Sequence, residues 1–168
     1  MGTKKVVALI MSIIIIIAIA IVLTTIGKTV IDKTTLQDLR TNMLLIQGVA
    51  KTYTEDVSVG TANLDTEKEE DNSKIEEVKE QKLKGTALEN CNENIKQLAK
   101  NSGIEDFTNY YYLSEQDLLD MGIQIKLKED EYYLVKYDFK DTEVIYTKGY
   151  EYKNKIYYKL SELKNIEI

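Results

Sequence analysis

The 168-residue chain has no histidine, no tryptophan, no proline and a single cysteine, Cys91. Without histidine there is no His-based metal site, no His general base and no Ser-His-Asp triad. One cysteine cannot form an internal disulfide, a Cys-rich zinc site or an iron–sulfur cluster. The 22 basic and 28 acidic side chains give a formal charge of −6, which argues against nucleic acid as the main partner. We therefore expect a protein without catalytic residues, cofactor or metal.

Proline usually makes up about 5 % of residues, and its absence leaves nothing to break a long helix. Residues 6–27 form an uncharged run of 22, VVALIMSIIIIIAIAIVLTTIG. As a helix this run would span roughly 33 Å, close to the ~30 Å hydrocarbon core of a bilayer. A cleaved signal peptide is the alternative, but its apolar region would be about 7–15 residues long and followed by a small-residue cleavage site. The run favours an uncleaved transmembrane helix.

The orientation follows from the short segment before this run. Residues 1–5 are too few to form a domain, so we expect them to be a cytoplasmic tip. Lysines lie on both sides of the run, so the positive-inside rule gives only weak support for either orientation. We expect a single-pass protein of the cell membrane, N-inside and C-outside, with residues 28–168 extracytoplasmic and the lipid bilayer as its first partner.

After the run, the apolar residues become periodic over 28–58. Seven of them are spaced 3, 4, 3, 4, 3, 4 and form a packing stripe: Leu36, Leu39, Met43, Ile46, Ala50, Tyr53 and Val57. This spacing predicts an amphipathic continuation of the helix. The stripe is expected either to pack against the protein's own C-terminal domain or to form a coiled coil between copies; the short length favours packing within the chain.

Residues 59–85 carry most of the net charge. Between Asp65 and Glu80 there are eight acids and three lysines, a net of −5, and such segments stay solvated. We predict a loop over 60–72 and a capping box at Ser73–Glu76. A calcium site is the alternative interpretation, but the D-x-D-x-D-G pattern is missing. A solvated acidic connector is favoured.

Residues 86–168 are predicted to form an α+β head. Thr86-x-x-Glu89 is a capping box that predicts a helix to Lys100, with Cys91 on its apolar face as an inert buried thiol rather than a reactive one. Ser114 is predicted to cap a short helix at 115–121 that Gly122 ends. Alternation of apolar and polar residues predicts strands that form an antiparallel meander. They follow the extended segment FTNYYYL at 107–113 and run near 123–127, 133–139, 144–152 and 156–160. The whole chain is thus a long N-terminal helix packed on a small antiparallel head.

Eleven of the twelve tyrosines lie between 110 and 158. Cross-strand packing with a solvated hydroxyl is the favoured interpretation. The alternative is an exposed aromatic contact surface for sugars or proteins. The residues proposed for it are Tyr110, Tyr111, Tyr112, Tyr132 and Tyr157.

An apolar anchor, an amphipathic helix and a β-meander resemble the architecture of type IV pilins and pseudopilins. The segment LQDLRTNMLLIQGVAKTYTE at 36–55 looks like the one after the anchor in prepilin-type proteins of Gram-positive bacteria. The head segments YYYLSEQDLLDMGI, YYLVKYDF, TEVIYTKGYEY and KIYYKLSEL are similar to heads of that group. The chain differs from the family's signature in having no Phe or Met after Gly2, no acid in its anchor and no proline.

The resemblance implies a structural subunit, a minor pilin or pseudopilin, of a type IV pilus or a type II secretion-like assembly. Its partners would be other pilin-like subunits or assembly proteins, and its location the membrane or a surface filament. The alternative is a membrane-tethered extracytoplasmic binding or sensor module that does not polymerise. An enzyme is the least favoured class, because no base stands near Ser114 or Ser161 in the sequence pattern.

Overall fold

The computed structural model describes residues 35–128 and 131–167. The expected cytoplasmic tip and transmembrane run lie outside these residues. Within them, no helix is both long and apolar enough to cross a membrane. Residues 39–166 form one compact unit, and the described residues outside it, 35–38 and 167, belong to a second unit. The unit of residues 39–166 contains the sheet and the candidate site.

Helix α1 covers residues 35–61 in the described part of the chain. Its spacing of apolar residues places Leu39, Met43, Ile46 and Ala50 on one side, and all four are buried within a single chain. Leu36, in the other unit, is also buried. Tyr53 and Val57 are half-buried. The stripe is therefore covered without a second copy, as packing within the chain requires. Leu44 and Leu45, expected to widen the stripe, are instead exposed.

The head is a five-stranded antiparallel sheet in which the strands neighbour each other in chain order. The α+β class and the antiparallel meander predicted from the sequence are confirmed. The strands are β1 (Thr86–Ala87), β2 (Tyr110–Leu113), β3 (Tyr133–Lys136), β4 (Glu143–Tyr152) and β5 (Lys155–Lys159). The helices between and after them are α2 (Glu69–Lys82), α3 (Glu93–Asn101), α4 (Glu115–Asp120) and α5 (Leu160–Leu163), with a 3-10 turn at Leu88–Asn90.

Helix α1 packs on one face of this sheet. The Asn42 side chain hydrogen-bonds the Tyr133 hydroxyl, and Gln47 Nε2 donates to the carbonyl of Thr142 at 2.7 Å. Arg40 Nε donates to the carbonyl of Leu163 at 2.9 Å, and its Nη2 donates to that carbonyl and to the carbonyl of Ile166. These bonds hold the apolar stripe against the sheet face that carries Tyr133, because residues of one face alternate along a strand.

The opposite face is covered by the 3-10 turn and α3. Its core cluster consists of Leu88, Ala99, Ile104, Leu134 and Ile145, all buried. In β3 the successive residues Tyr133, Leu134 and Val135 are all buried, which shows that both faces of the sheet are covered. The strand is therefore fully buried rather than half-buried as the alternation suggested.

The helix predicted from Thr86 begins later than its capping box indicates. Thr86 and Ala87 pair with Tyr112 and Tyr111 as strand β1, so tertiary pairing overrides the local signal. Helix α3 begins at Glu93, and Asn92 is its N-cap: its side chain accepts a hydrogen bond from the Ile95 amide at 3.0 Å.

The strand predicted at 123–127 is wrong, because residues 123–128 form no regular element. Gly122 ends α4 with a φ of 76°. The Ile123 amide then donates to the Leu118 carbonyl at 2.8 Å, and the Leu127 amide donates to Glu115 Oε1 at 2.8 Å. The backbone thus bonds back to α4 instead of to a strand.

Two further predictions need correction. The strand predicted near 133–139 includes Phe139 on the same apolar face as Tyr137, but β3 ends at Lys136 and Phe139 is 62 % exposed. The loop predicted over 60–72 is shorter, since α1 extends to residue 61 and α2 begins at Glu69. Ser73 therefore lies inside α2, where its hydroxyl donates to the Glu69 carbonyl at 3.2 Å. None of the residues of α2 is buried.

Candidate functional site

A cleft of about 610 Å³ lies between α2, β1 with its 3-10 turn, and the beginning of β2. It is larger than two other cavities of the described residues, which measure about 270 and 390 Å³. Carboxylates line it together with apolar and aromatic side chains. The lining residues that matter for its chemistry are Glu76, Glu80, Leu83, Glu89, Phe107 and Tyr111.

Helix α2 supplies two of the carboxylates. Glu76 and Glu80 are four residues apart, so they lie on the same side of the helix. Lys79 Nζ is 2.7 Å from Glu76 Oε1 and neutralises that carboxylate. Glu80, and Glu89 of the 3-10 turn, form no ion pair among the described residues. The cleft therefore has a net negative charge.

Tyr111 also lines the cleft, and the nearby negative charges affect the pKa of its hydroxyl. It packs edge-to-face on Tyr137, with ring centroids 5.1 Å apart and an interplanar angle of 78°. Burial raises the pKa of the Tyr111 hydroxyl, and the negative charges of Glu76, Glu80 and Glu89 raise it further. The phenol thus stays neutral. The same negative charges would favour a cation bound in the cleft.

Gly85 makes the turn from α2 into β1 at the bottom of the cleft. Its φ is 98°, and a Cβ at this position would lie 2.5 Å from the carbonyl oxygen of Tyr112. The Tyr137 hydroxyl donates to the Lys84 carbonyl at 2.9 Å and fixes the same turn. Only glycine permits both this backbone conformation and this close approach, so the cleft is held by a specific backbone geometry.

The five tyrosines proposed as one contact surface lie on different parts of the sheet. Tyr110 and Tyr112 pack against the core cluster on the α3 face, and Tyr132 stacks on Tyr112 at 5.4 Å between ring centroids. Tyr111 points to the other face because alternate residues of a strand do so. Tyr157 lies on edge strand β5, where Lys155 Nζ is 4.7 Å from its ring centroid. All five are half-buried.

Cys91 is partly buried and free. Its Sγ is 3.5 Å from the Ala87 carbonyl oxygen and 3.7 Å from that of Thr86. Burial raises the pKa of the thiol, and the positive charge of Lys96 only partly offsets this. A protonated thiol is a poor nucleophile, in agreement with the favoured interpretation of this residue.

The sequence analysis missed a polar cluster that joins Glu131, just before β3, to strand β4. Buried Glu131 lies 2.6 Å from Lys148 Nζ and also hydrogen-bonds Tyr146. Burial acts to raise the pKa of Glu131, but the bonds from Lys148 and Tyr146 outweigh it and the pKa is lowered. The register that pairs Tyr133 with Tyr146 also places Glu131 across from Lys148, so a correct hairpin register would have revealed it.

The negative charge of the cleft favours a cationic ligand over an anionic one. Among the described residues, no group of three or more Cys, Asp or Glu side chains is arranged to hold a metal ion. No family model matches the chain, and no curated protein or solved structure shows significant similarity to it.

Proposed function

We propose that this chain is a membrane-anchored, pilin-like structural subunit, a minor pilin or pseudopilin of a type IV pilus or a type II secretion-like assembly. The observation that supports the proposal is the packing of α1. From Leu39 to Ala50 its apolar side is buried on the chain's own antiparallel sheet, while Leu44 and Leu45 remain exposed on the other side. A helix with this arrangement joins an anchor in the bilayer to an extracytoplasmic head.

The partners in this proposal are the lipid bilayer, other pilin-like subunits and assembly proteins. Leu45 is 52 % exposed and Leu44 is 46 % exposed, so they give the outer side of α1 an apolar surface for neighbouring subunits. The sheet supplies a rigid head, since both of its faces are covered.

The test is recovery of the full chain from its host cells. Cells are sheared, filaments are separated from membranes, and the chain is detected in each fraction by antibody. A subunit is expected in the sheared fraction, and Leu45→Asp should remove it from there without unfolding the head. Ser58→Asp is the control, since Ser58 is also exposed on α1. The mass of the mature N-terminus would show whether the anchor is processed.

The second candidate function is a membrane-tethered binding module that does not polymerise. The acidic aromatic cleft favours it, because such a cleft binds a ligand without any assembly. Recovery of the chain only from membranes, and only as a monomer, would favour this module and contradict the subunit proposal.

A further inference from the structure

The hairpin between β4 and β5 presents positive charge at its tip. From Lys148 to Lys159 there are four lysines and one glutamate, and of these lysines Lys148 is paired with Glu131. Lys153 and Lys155 are exposed at the tip and form no ion pair among the described residues. Each lies over a neighbouring tyrosine ring, at 4.9 Å for Lys153 and 4.7 Å for Lys155. The two ammonium groups are thus held at the tip over aromatic rings, with no carboxylate partner among the described residues.

The backbone of this tip is fixed as well. Lys153 and Asn154 have φ values of 50° and 62°, the conformation of a tight two-residue hairpin turn. Next to them Ile156 is 48 % exposed. The tip therefore carries two cations, while Ile156 lies across from Glu151 on the face opposite to Lys155.

The acidic cleft has the complementary arrangement at the other end of the sheet. Helix α2 has six acids and three lysines, a net of −3. Glu80 of α2 and Glu89 of the 3-10 turn both line the cleft, as do Leu83 and Tyr111. The two carboxylates without an ion pair match the two lysines of the hairpin tip in sign and in number.

These two surfaces cannot meet within one chain. The strand order β1-β2-β3-β4-β5 places the cleft beside one edge strand and the hairpin at the opposite edge. Four interstrand spacings separate the edges by roughly 19 Å. A contact between them must join different copies, and a head-to-tail contact of this kind extends as a filament when the rotation between copies does not close it.

We propose that the Lys153–Lys155 hairpin of one copy docks in the acidic cleft of the next copy, with Lys153 and Lys155 at Glu80 and Glu89. The inference rests on the proposed subunit function and names the surfaces that join neighbouring heads. A volume of about 610 Å³ accommodates the few side chains of a hairpin tip. Complementary charges at such a contact set register and favour this partner over others.

The experiment uses the full chain in membranes of its host cells. A photo-cross-linking benzoylphenylalanine replaces Asn90, which lines the cleft and is exposed. Irradiation is expected to give dimers and higher adducts, and mass spectrometry to find the second peptide within 148–159. Adducts to any other peptide of the chain, or to a different protein only, would overturn the inference.

Charge reversal then tests the pairing itself. Glu80→Lys with Glu89→Lys, or Lys153→Glu with Lys155→Glu, is expected to lower the yield of adducts by about tenfold. The four changes together are expected to restore it, because both surfaces are then reversed. The matched control is Lys126→Glu with Lys128→Glu, two exposed lysines at the same spacing, which should leave the yield unchanged.

The outcomes separate this inference from the proposed function. If filaments form but the reversals do not lower the yield, or the combination does not restore it, the hairpin contact is wrong and the subunit proposal stands. If Glu80→Lys with Glu89→Lys lowers the yield but Lys153→Glu with Lys155→Glu does not, the cleft binds a different cation and the inference is wrong. If the wild-type chain forms neither filaments nor adducts, both fail. Near-UV circular dichroism of each variant verifies that the exposed substitutions leave the head folded.

Discussion

Replacement of Ile46 by alanine is the most direct test of how α1 is held. Ile46 is 0 % exposed, as are Met43 and Ala50 on either side of it along the stripe. The substitution removes the equivalent of three methylene groups, or ~2.4 kcal/mol of transfer free energy at ~0.8 kcal/mol each. The cavity left in the interior adds to this loss. We expect the free energy of unfolding to fall by about 3–4 kcal/mol.

The assay is urea unfolding of the full chain in detergent micelles. The chain has twelve tyrosines and no tryptophan, so near-UV circular dichroism of tyrosine follows the packing of the head. Leu45→Ala is the matched control, because Leu45 is next in sequence but 52 % exposed. It should change the free energy of unfolding by about 0.5 kcal/mol or less.

Two results would refute the reasoning. Equal losses for Ile46→Ala and Leu45→Ala would mean that α1 is not packed on the sheet by the side described. An unfolding midpoint that rises with protein concentration would mean that the stripe is covered by another copy, since only association makes stability depend on concentration.

Other substitutions test separate parts of the fold. Gly149→Ala should destabilise the head by about 1–3 kcal/mol, because φ is 71° and the new Cβ would meet a side chain of β5 at 2.4 Å; Gly48→Ala, with nothing within 4 Å, should instead stabilise α1 by ~0.5–1 kcal/mol in thermal unfolding. Ser114→Ala should cost about 1 kcal/mol by the same assay, and Ser114→Asp should retain most of the cap. Burial raises the pKa of Tyr133 to about 12, so the folded protein holds this proton more tightly than the unfolded chain. The free energy of unfolding should therefore keep the whole contribution of this residue below pH ~10 and fall as the pH rises toward ~12. Tyr133→Phe should make that fall less steep. An unchanged dependence of the free energy of unfolding on pH would contradict this origin.

The features predicted correctly are those that neighbouring residues decide. Ser114 caps α4 as predicted, and its bonds with Asp117 involve only four successive residues. The stripe from Leu39 to Ala50 follows from helical periodicity, since one side of a long helix must be covered. Local rules suffice for such elements.

The features that were missed depend on distant partners. Thr86 and Ala87 became strand β1 because Tyr111 and Tyr112 offer them a ladder, and nothing near Thr86 signals this. Ile123 looks like a strand residue, but its amide bonds back to Leu118. The cleft was missed for the same reason: the acids of α2 appear solvated in the sequence, and only the fold places Tyr111 beside them.

The burial of α1 on strands that come much later in the chain has a consequence for synthesis. Val144, on the face that α1 covers, lies 98 positions after Ile46. At ~5–20 residues per second the ribosome needs about 5–20 s to make that interval. During this interval α1 has been synthesised, but the strand that will cover its apolar side has not. Whatever handles the nascent chain must shield a helix face during that delay, and a slowed ribosome would lengthen the exposure in proportion.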